Sequence, residues 1–407
     1  MRNMRVLSIL LSVVLLHVSY AQTCPANGLA LTPPMGWNSW NAFGLQKKSI
    51  TAEVVEGEAD AMVSSGMAAA GYTYVNIDDG WQDEQRDSHG NIQPNPNYFP
   101  NGMQPVVEYV HSKGLKIGIY SSPAAKTCAG NMGSKGHVQQ DANTFASWGM
   151  DFLKYDWCNG AQNGQTMQLQ FAAMCNALEA TGRPMVYSLS LIGQMQVWTW
   201  GESVGGNMWR VALDVKADYF RMAEQGFINN GLGSYAGPGH WNDADMLQIG
   251  NPGGVNQTGM LCTTPKTAEA LGYCHTQMGL WAILSSPLIA GNDLRNMNAT
   301  VKDILTNPYI IAVDQDASST PGTRVWQVGP QEIWARHMSD GTTTVGVFNH
   351  VSGSAPVALP FSLIGVSGQV DAINMWSGKN LGVISDGYMT TVPPFDVVML
   401  KLTPQKH

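Results

Sequence analysis

A (β/α)8 barrel followed by a C-terminal antiparallel β-sandwich is the fold this sequence predicts, and three observations predict it. Between about residues 30 and 315, short β-like runs alternate with helical ones. Aspartates recur at the carboxyl ends of those runs, the end where a barrel of parallel strands gathers its functional groups on one face. Beyond about Pro321 the helical period disappears. Short alternating runs separated by Gly, Ser, Asp and Pro take over.

The chain opens Met1-Arg2-Asn3-Met4-Arg5 and then runs apolar from Val6 to Val18, broken by Ser8, Ser12 and His17. Ser19-Tyr20-Ala21 follows, with small residues at both outer positions of a cleavage site. A basic start, an apolar stretch short of the ~20 residues that span a bilayer and a small-residue exit read as a secretory leader over residues 1–21. The mature protein is therefore expected outside the cytoplasm, secreted or periplasmic. No later apolar run reaches spanning length, so no membrane partner is expected after cleavage.

The barrel is expected over residues 22–317. Its strands read as Met35–Trp37, Tyr74–Ile77, Lys116–Tyr120, Phe152–Tyr155, Met185–Leu189, Arg210–Leu213, His240–Trp241 and Leu288–Ala290. Amphipathic segments such as Ala52–Ala70, Gln104–Lys113, Asp141–Trp148 and Gln165–Ala180 lie between them. The run from Asp141 to Trp148 places its apolar groups at helical spacing. Gly71, Gly114, Gly149 and Gly182 follow these helices, where a helix C-terminus favours glycine. No G-x-G-x-x-G opens a helix after the first strand, which leaves a dinucleotide-binding sheet without support. The sandwich is expected over residues 324–407, from Val325–Val328, Glu332–His337, Thr343–Asn349, Gln369–Met375, Gly382–Ser385 and Val397–Lys401. Ser318–Thr323 is the junction.

Composition narrows the function. The 407 residues carry a net charge of −8, spread without blocks of like sign. That disfavours nucleic acid or an anionic membrane as partner and suits a neutral substrate. Six cysteines in an exported chain point to disulfides. Cys128 and Cys158 each follow a predicted strand end, so adjacent strands bring them within reach of each other. Cys262 and Cys274 bracket a short polar segment and are placed to clip a loop. Cys175 reads as a buried free thiol on an amphipathic helix, and Cys24 is left open. Metal ligation by cysteine has no C-x-x-C or histidine cluster behind it. Asn256-Gln257-Thr258 and Asn298-Ala299-Thr300 are glycosylation acceptors in a source that glycosylates its exports.

Carboxylates carry the chemistry. Hydrolysis of a glycoside uses two of them flanking the scissile bond. One protonates the leaving oxygen, while the other attacks the anomeric carbon or activates water. Asp156 and Asp214 form the best pair, at the ends of the fourth and sixth predicted strands. Lys154 precedes Asp156 by two residues, so strand alternation points both side chains inward. A lysine there favours an ionised, nucleophilic Asp156. Arg210 sits four residues before Asp214, on the same predicted face. A lone histidine such as His137 or His240, both near the predicted mouth, reads as a structural or rim residue. Asp243 reads as an internal hydrogen-bonding group.

The motifs that hold these residues form an ordered series. Pro33-Pro34-Met35-Gly36-Trp37-Asn38-Ser39-Trp40 comes first, followed by Ile77-Asp78-Asp79-Gly80-Trp81, Lys116-Ile117-Gly118-Ile119-Tyr120-Ser121 and Lys126-Thr127-Cys128-Ala129-Gly130. Lys154-Tyr155-Asp156-x-Cys158, Trp241-Asn242-Asp243-x-Asp245-Met246-Leu247 and Ser286 to Asp293 complete it. In this order the chain resembles glycoside hydrolase family 27, the α-galactosidases and α-N-acetylgalactosaminidases, across the whole barrel. The resemblance implies Asp156 as nucleophile and Asp214 as general acid/base. It also implies a sugar pocket lined by Trp40, Asp78, Asp79, Tyr120, Cys128, Lys154, Arg210 and Asp245. It implies a Cys128–Cys158 disulfide beside that pocket, a carbohydrate substrate, and neither metal nor organic cofactor. It further implies retention of anomeric configuration, for which the two carboxyl groups stand roughly 5–5.5 Å apart. Adjacent Asp78 and Asp79 suit the axial O4 and the O6 of galactose, and Trp40 suits the apolar face of its ring.

Departures from the family bear on specificity. Ser188-Leu189-Ser190-Leu191-Ile192-Gly193 follows the fifth strand, where relatives read the sugar's 2-substituent. Either Leu191 and Ile192 face the pocket and remove hydrogen-bond partners, or the loop has repacked and reads the sugar with Gln194, Gln196 or Trp198. Ser121-Ser122-Pro123 stands where many relatives carry an acid after the tyrosine. Val211-Ala212-Leu213 replaces Thr-Thr-Gly before the acid/base, and Cys262–Cys274 looks like an insertion at the rim. The expected activity is exo-α-galactosidase. The same machinery acting on β-L-arabinopyranosides or α-N-acetylgalactosaminides is the alternative. A catalytically silent sugar-binding protein is disfavoured, because both acids and Lys154 are present.

Overall fold

Parallel strands β1 (Met35–Asn38), β2 (Tyr74–Asn76), β3 (Lys116–Ser121), β4 (Phe152–Asp156), β5 (Val186–Ser190), β6 (Met208–Arg210), β7 (Trp241–Asp243) and β8 (Leu288–Ala290) form one eight-stranded sheet. Its order is β7-β6-β5-β4-β3-β2-β1-β8, and a parallel bridge between Leu247 and Ala290 closes it into a barrel. The computed structural model describes residues 24–44, 50–158, 164–253, 259–262 and 268–405. The expected leader over 1–21 and the acceptor at Asn256 lie outside the described residues.

Alternation along each strand sorts side chains between the barrel interior and the helical shell. On β4, Leu153 and Tyr155 are fully buried, and the Tyr155 ring meets Phe171 of the outer shell at 5.5 Å. Phe152, Lys154 and Asp156 point the other way. The shell comprises α1 (Ala52–Ser64), α2 (Gln104–Ser112), α3 (Val138–Trp148), α4 (Gly164–Ala180), α5 (Tyr219–Phe227), α6 (Ala268–Leu284), α7 (Ala299–Leu305) and α8 (Pro308–Asp314). Thr51 caps α1 by accepting from the Val54 amide, and Asp218 caps α5 by accepting from Phe220 and Arg221. Gly149 ends α3 in the left-handed conformation at φ 90°. Two buried tryptophans do more than fill the core. Trp81 Nε1 donates to the Tyr120 carbonyl at 2.9 Å and Trp281 Nε1 to that of Asp245 at 2.7 Å. Both accepting residues lie at the carboxyl face of the barrel.

The other barrel strands begin and end within one residue of expectation, and the sixth and seventh are displaced further. The sixth runs Met208–Arg210 and not Arg210–Leu213, and the seventh runs Trp241–Asp243 and not His240–Trp241. Val211-Ala212-Leu213 is apolar enough to imitate a strand, but the chain leaves the ladder at Arg210. Arg210 folds back to donate to the Ala212 carbonyl at 3.1 Å, and Leu213 is 59 % exposed. Asp214 therefore stands on a loop four residues beyond its strand. His240 stacks on Trp209 beside Glu202, one residue before β7, and is not at the mouth.

The C-terminal region holds β9 (Thr323–Val328), β10 (Gln331–His337), β11 (Thr343–Asn349), β12 (Ala355–Pro360), β13 (Gln369–Asn374), β14 (Lys379–Ser385), β15 (Gly387–Val392) and β16 (Val397–Pro404). Six of them form an antiparallel sheet in the order β14-β13-β16-β11-β10-β9, and β12 pairs with β15 across a shared core. The β12–β15 pair escapes the sequence reading because Pro356 and Pro360 interrupt the first strand. The sandwich seats on α6 and α8: Arg336, 2 % exposed, donates to the carbonyls of Ala282 and Val313.

Three disulfides join Cys24 to Cys175, Cys128 to Cys158 and Cys262 to Cys274. The free thiol expected at Cys175 is thus incorrect. The Cys24 amide donates to the Ser203 carbonyl, which lays the N-terminal segment beside α4 and brings the sulfurs together. This bridge spans 151 residues. Replacing both cysteines with alanine should cost about 2–5 kcal/mol of unfolding free energy, because long loops gain most from closure. A urea titration of the double variant checks this.

Candidate active site

A cavity of about 210 Å³ opens at the carboxyl end of the barrel, lined by Trp40, Asn41, Asp78, Asp79, Tyr120, Cys128, Lys154, Asp156, Ser190, Arg210, Asp214, Val215, Lys216, Asp245 and Met246. Every residue that the sequence placed in a pocket is on that lining. Trp40 reaches it from a single π-helical turn, Trp40–Gly44, immediately after β1. Its indole lies over Gly44, where a Cβ would collide with the ring.

Asp78 and Asp79 follow β2 and are buried. The Asp78 carboxylate accepts from Asn38 Nδ2 at 2.8 Å, Lys154 Nζ at 2.7 Å and the Asp79 amide at 2.8 Å. Asp79 accepts from Thr127 Oγ1 at 2.9 Å, the Ala129 amide at 2.9 Å and Asn131 Nδ2 at 3.0 Å. A carboxylate offers about four acceptor sites, so each aspartate is fixed by protein and keeps about one site for a ligand. Burial pushes the Asp79 carboxyl up, against these three donors. The loop after β3 that supplies them is stapled to the end of β4 by the Cys128–Cys158 disulfide.

Asp156, the last residue of β4, accepts from Tyr120 Oη at 2.9 Å. Burial raises its carboxyl to about 6, with Lys154 opposing the shift and Asp78 adding to it. Burial alone would lower Lys154, but Asp78 and Asp156 outweigh it and keep the ammonium charged. Across the cavity, Arg210 lies 3.1 Å from both Asp214 and Asp245. Asp245 adopts φ 79°, an unfavourable conformation for a non-glycine residue. It is held there because its amide donates to Asp243 Oδ1 and its own Oδ2 accepts from the Val215 amide. Asp243 is thereby an internal support, and burial raises its carboxyl to about 6. Asp214 is 75 % exposed. Partial burial would raise it, but Arg210, Lys154 and Lys216 hold it below its ordinary value.

The fifth-strand stretch follows neither expected course. Leu191 is 1 % exposed in the apolar core, and Ile192, at φ 48°, is half-buried and off the lining. Ser190 is the residue of this stretch on the lining; among the described residues Gln194, Gln196 and Trp198 are not. Ser121 and Ser122 are fully buried, and Ser121 bonds Ser134 at 2.7 Å. Lys216 and Ser190 were missed by sequence reasoning. The spacing of Lys216, two residues past Asp214, was the available signal. Among the described residues, the one close set of metal-ligating groups is Cys128, Asp156 and Cys158, and its two sulfurs are joined to each other.

A pocket lined by carboxylates, two paired cations and a tryptophan, at the carboxyl end of a (β/α)8 barrel, is the site of a glycoside hydrolase. Residues 32–316 match the family model described as alpha galactosidase A, and residues 328–402 that of the alpha galactosidase C-terminal beta sandwich domain. The chain is 39 % identical to an alpha-galactosidase of Cyamopsis tetragonoloba over 96 % of this chain and 90 % of the relative. Alpha-galactosidase I from Mortierella vinacea superposes with a TM-score of 0.84 at 34 % identity, over 93 % of this chain and 98 % of that one. The Saccharomyces cerevisiae enzyme solved with raffinose gives 0.83 at 27 % identity, over 94 % and 100 %. The chain belongs to glycoside hydrolase family 27, the α-galactosidase family.

Proposed function

We propose that the protein is a secreted, retaining exo-α-galactosidase, in which Asp156 is the nucleophile and Asp214 the general acid/base. The observation that carries this is the placement of the two acids. Asp156 stands in the wall under Tyr120 and Lys154, where it meets the anomeric carbon. Asp214 stands on the exposed side, where the leaving group departs. Asp156 attacks and Asp214 donates its proton to the glycosidic oxygen; Asp214 then takes a proton from the water that releases the sugar. Asp78 and Asp79 accept from sugar hydroxyls, and Trp40 packs on the ring. At about 210 Å³ the cavity falls below the ~300–1,000 Å³ of sites for drug-sized ligands, which suits a single terminal sugar. The basic-apolar start and three disulfides support export.

Among the protein's own groups the proton order is the reverse of the roles: Asp156 is raised and Asp214 lowered. Catalysis needs one proton on the pair, and with Asp156 raised to about 6 the free enzyme is expected to carry one below that pH. A sugar that fills the cavity strips water from Asp214, which raises it, while Asp156 gives up its proton. The prediction for kcat/KM is a bell with its alkaline limb near 6, where the pair loses its last proton, and its acid limb below 3.8, where Asp214 also protonates. A pH series of initial rates tests this.

Initial rates on nitrophenyl α-galactoside, α-N-acetylgalactosaminide and β-L-arabinopyranoside test the substrate. The α-galactoside should dominate. If another sugar dominated, the galactose assignment would be wrong.

A further inference from the structure

We propose that Lys216 recognises an anionic group on the leaving-group side of the glycosidic bond, making α-galactosides with acidic aglycones the preferred substrates. The inference rests on the galactosidase reading and adds the aglycone class to it.

Three cations line the cavity. Lys154 is committed to Asp78 at 2.7 Å, and Arg210 to Asp214 and Asp245 at 3.1 Å each. Among the described residues, the Lys216 ammonium makes no close ion pair or hydrogen bond, and it acts on Asp214 only through space. Solvation alone explains most surface lysines, but this one is positioned by a fixed backbone. The Val215 amide donates to Asp245 Oδ2 at 2.7 Å, and the Val215 carbonyl accepts from Gln248 Nε2 at 3.2 Å; both partners are buried. Asp214, Val215 and Lys216 all line the cavity, with Val215 buried and the two charged residues exposed on either side of it. Ala217 and Asp218 tie down the next turn through the Gly259 amide and the α5 cap.

The acid/base and a positive charge that no close ion pair satisfies therefore flank one anchored residue. Asp214 marks the position of the glycosidic oxygen in the proposed mechanism, so a charge two residues along on the same lining is placed to meet the leaving group. An ammonium at that place attracts a carboxylate or phosphate and gives a neutral sugar no comparable gain.

The test uses two matched substrate pairs: α-galactosyl glycerol with its phosphate ester, and an α-galactosyl hexose with the same disaccharide oxidised to the uronate. For the intact protein at low salt, kcat/KM should be about three- to fivefold higher for the anionic member, the size an exposed ion pair gives. That preference should vanish at about 0.5 M salt. Lys216→Gln should bring the ratio to about one, and Lys216→Glu should push it below one. The ratio within one preparation is independent of how much of each variant folds. Preference in one pair alone supports the proposal and identifies the anion as phosphate or carboxylate. A wild-type ratio of one or less in both pairs, or a ratio unmoved by Lys216→Gln, overturns the role of Lys216 alone. No turnover of either neutral member overturns the galactosidase reading and the proposal with it.

Discussion

Asp156→Asn should lower kcat on any α-galactoside by on the order of 10⁴-fold or more, because it removes the bond-forming group itself. The amide is nearly isosteric and still accepts from Tyr120, so the far-ultraviolet dichroism and the urea midpoint should stay close to wild type. Charge is the only large change: Lys154 keeps Asp78 at 2.7 Å, and the repulsion between Asp78 and Asp156 disappears. A smaller variant, Asp156→Gly, leaves room for azide. With an activated galactoside it should yield β-galactosyl azide by a single displacement. Near-normal turnover by Asp156→Asn would contradict the assignment.

Asp214→Ala should produce the second largest loss, and its size should depend on the leaving group. With a sugar as leaving group, loss of general acid catalysis should cost about 10²–10⁴-fold. With a dinitrophenolate, which needs no proton to depart, the first step should survive and the galactosyl-enzyme should accumulate as a burst. Azide should then attack that intermediate and give α-galactosyl azide, the opposite anomer to that from Asp156→Gly. The raised carboxyl of Asp156 and the lowered one of Asp214 make this pair of products worth separating. If the roles were exchanged, the two azides would exchange as well. The same deletion should relax Arg210, which would keep only Asp245 and the Ala212 carbonyl as partners. A rise in KM is therefore expected beside the fall in kcat.

The barrel was legible because its signals are local. Strand β4 reads off Phe152–Tyr155 with an aspartate at its end, and alternation alone turns Lys154 and Asp156 inward. The doublet Asp78-Asp79 needed only the preceding apolar run. The approach to Asp214 was less legible, because Val211-Ala212-Leu213 has the composition of a strand and the conformation of a loop. Only the Arg210 contact with the Ala212 carbonyl and the ladder to β7 decide between them. The Cys24–Cys175 bridge was invisible because it joins segments 151 residues apart, and neither has a motif of its own. Leu191 stays open in the sequence for a different reason. An apolar residue at a pocket-reading position has two readings, and packing sent it to the core while Ser190 took the lining. Support residues such as Thr127 and Asn131 act through another side chain, Asp79, a role that no single-sequence pattern announces, whereas Asp243 is the internal hydrogen-bonding group that its motif suggests.

The stereochemistry of the first product tests the central claim most directly. Proton NMR should follow the anomeric signals while a concentrated α-galactoside is hydrolysed, before mutarotation mixes them. α-Galactose appearing first, with the β anomer rising only later, is the result that double displacement through Asp156 predicts. β-Galactose appearing first would mean direct attack by water, and would contradict both the nucleophile and the roles built around it.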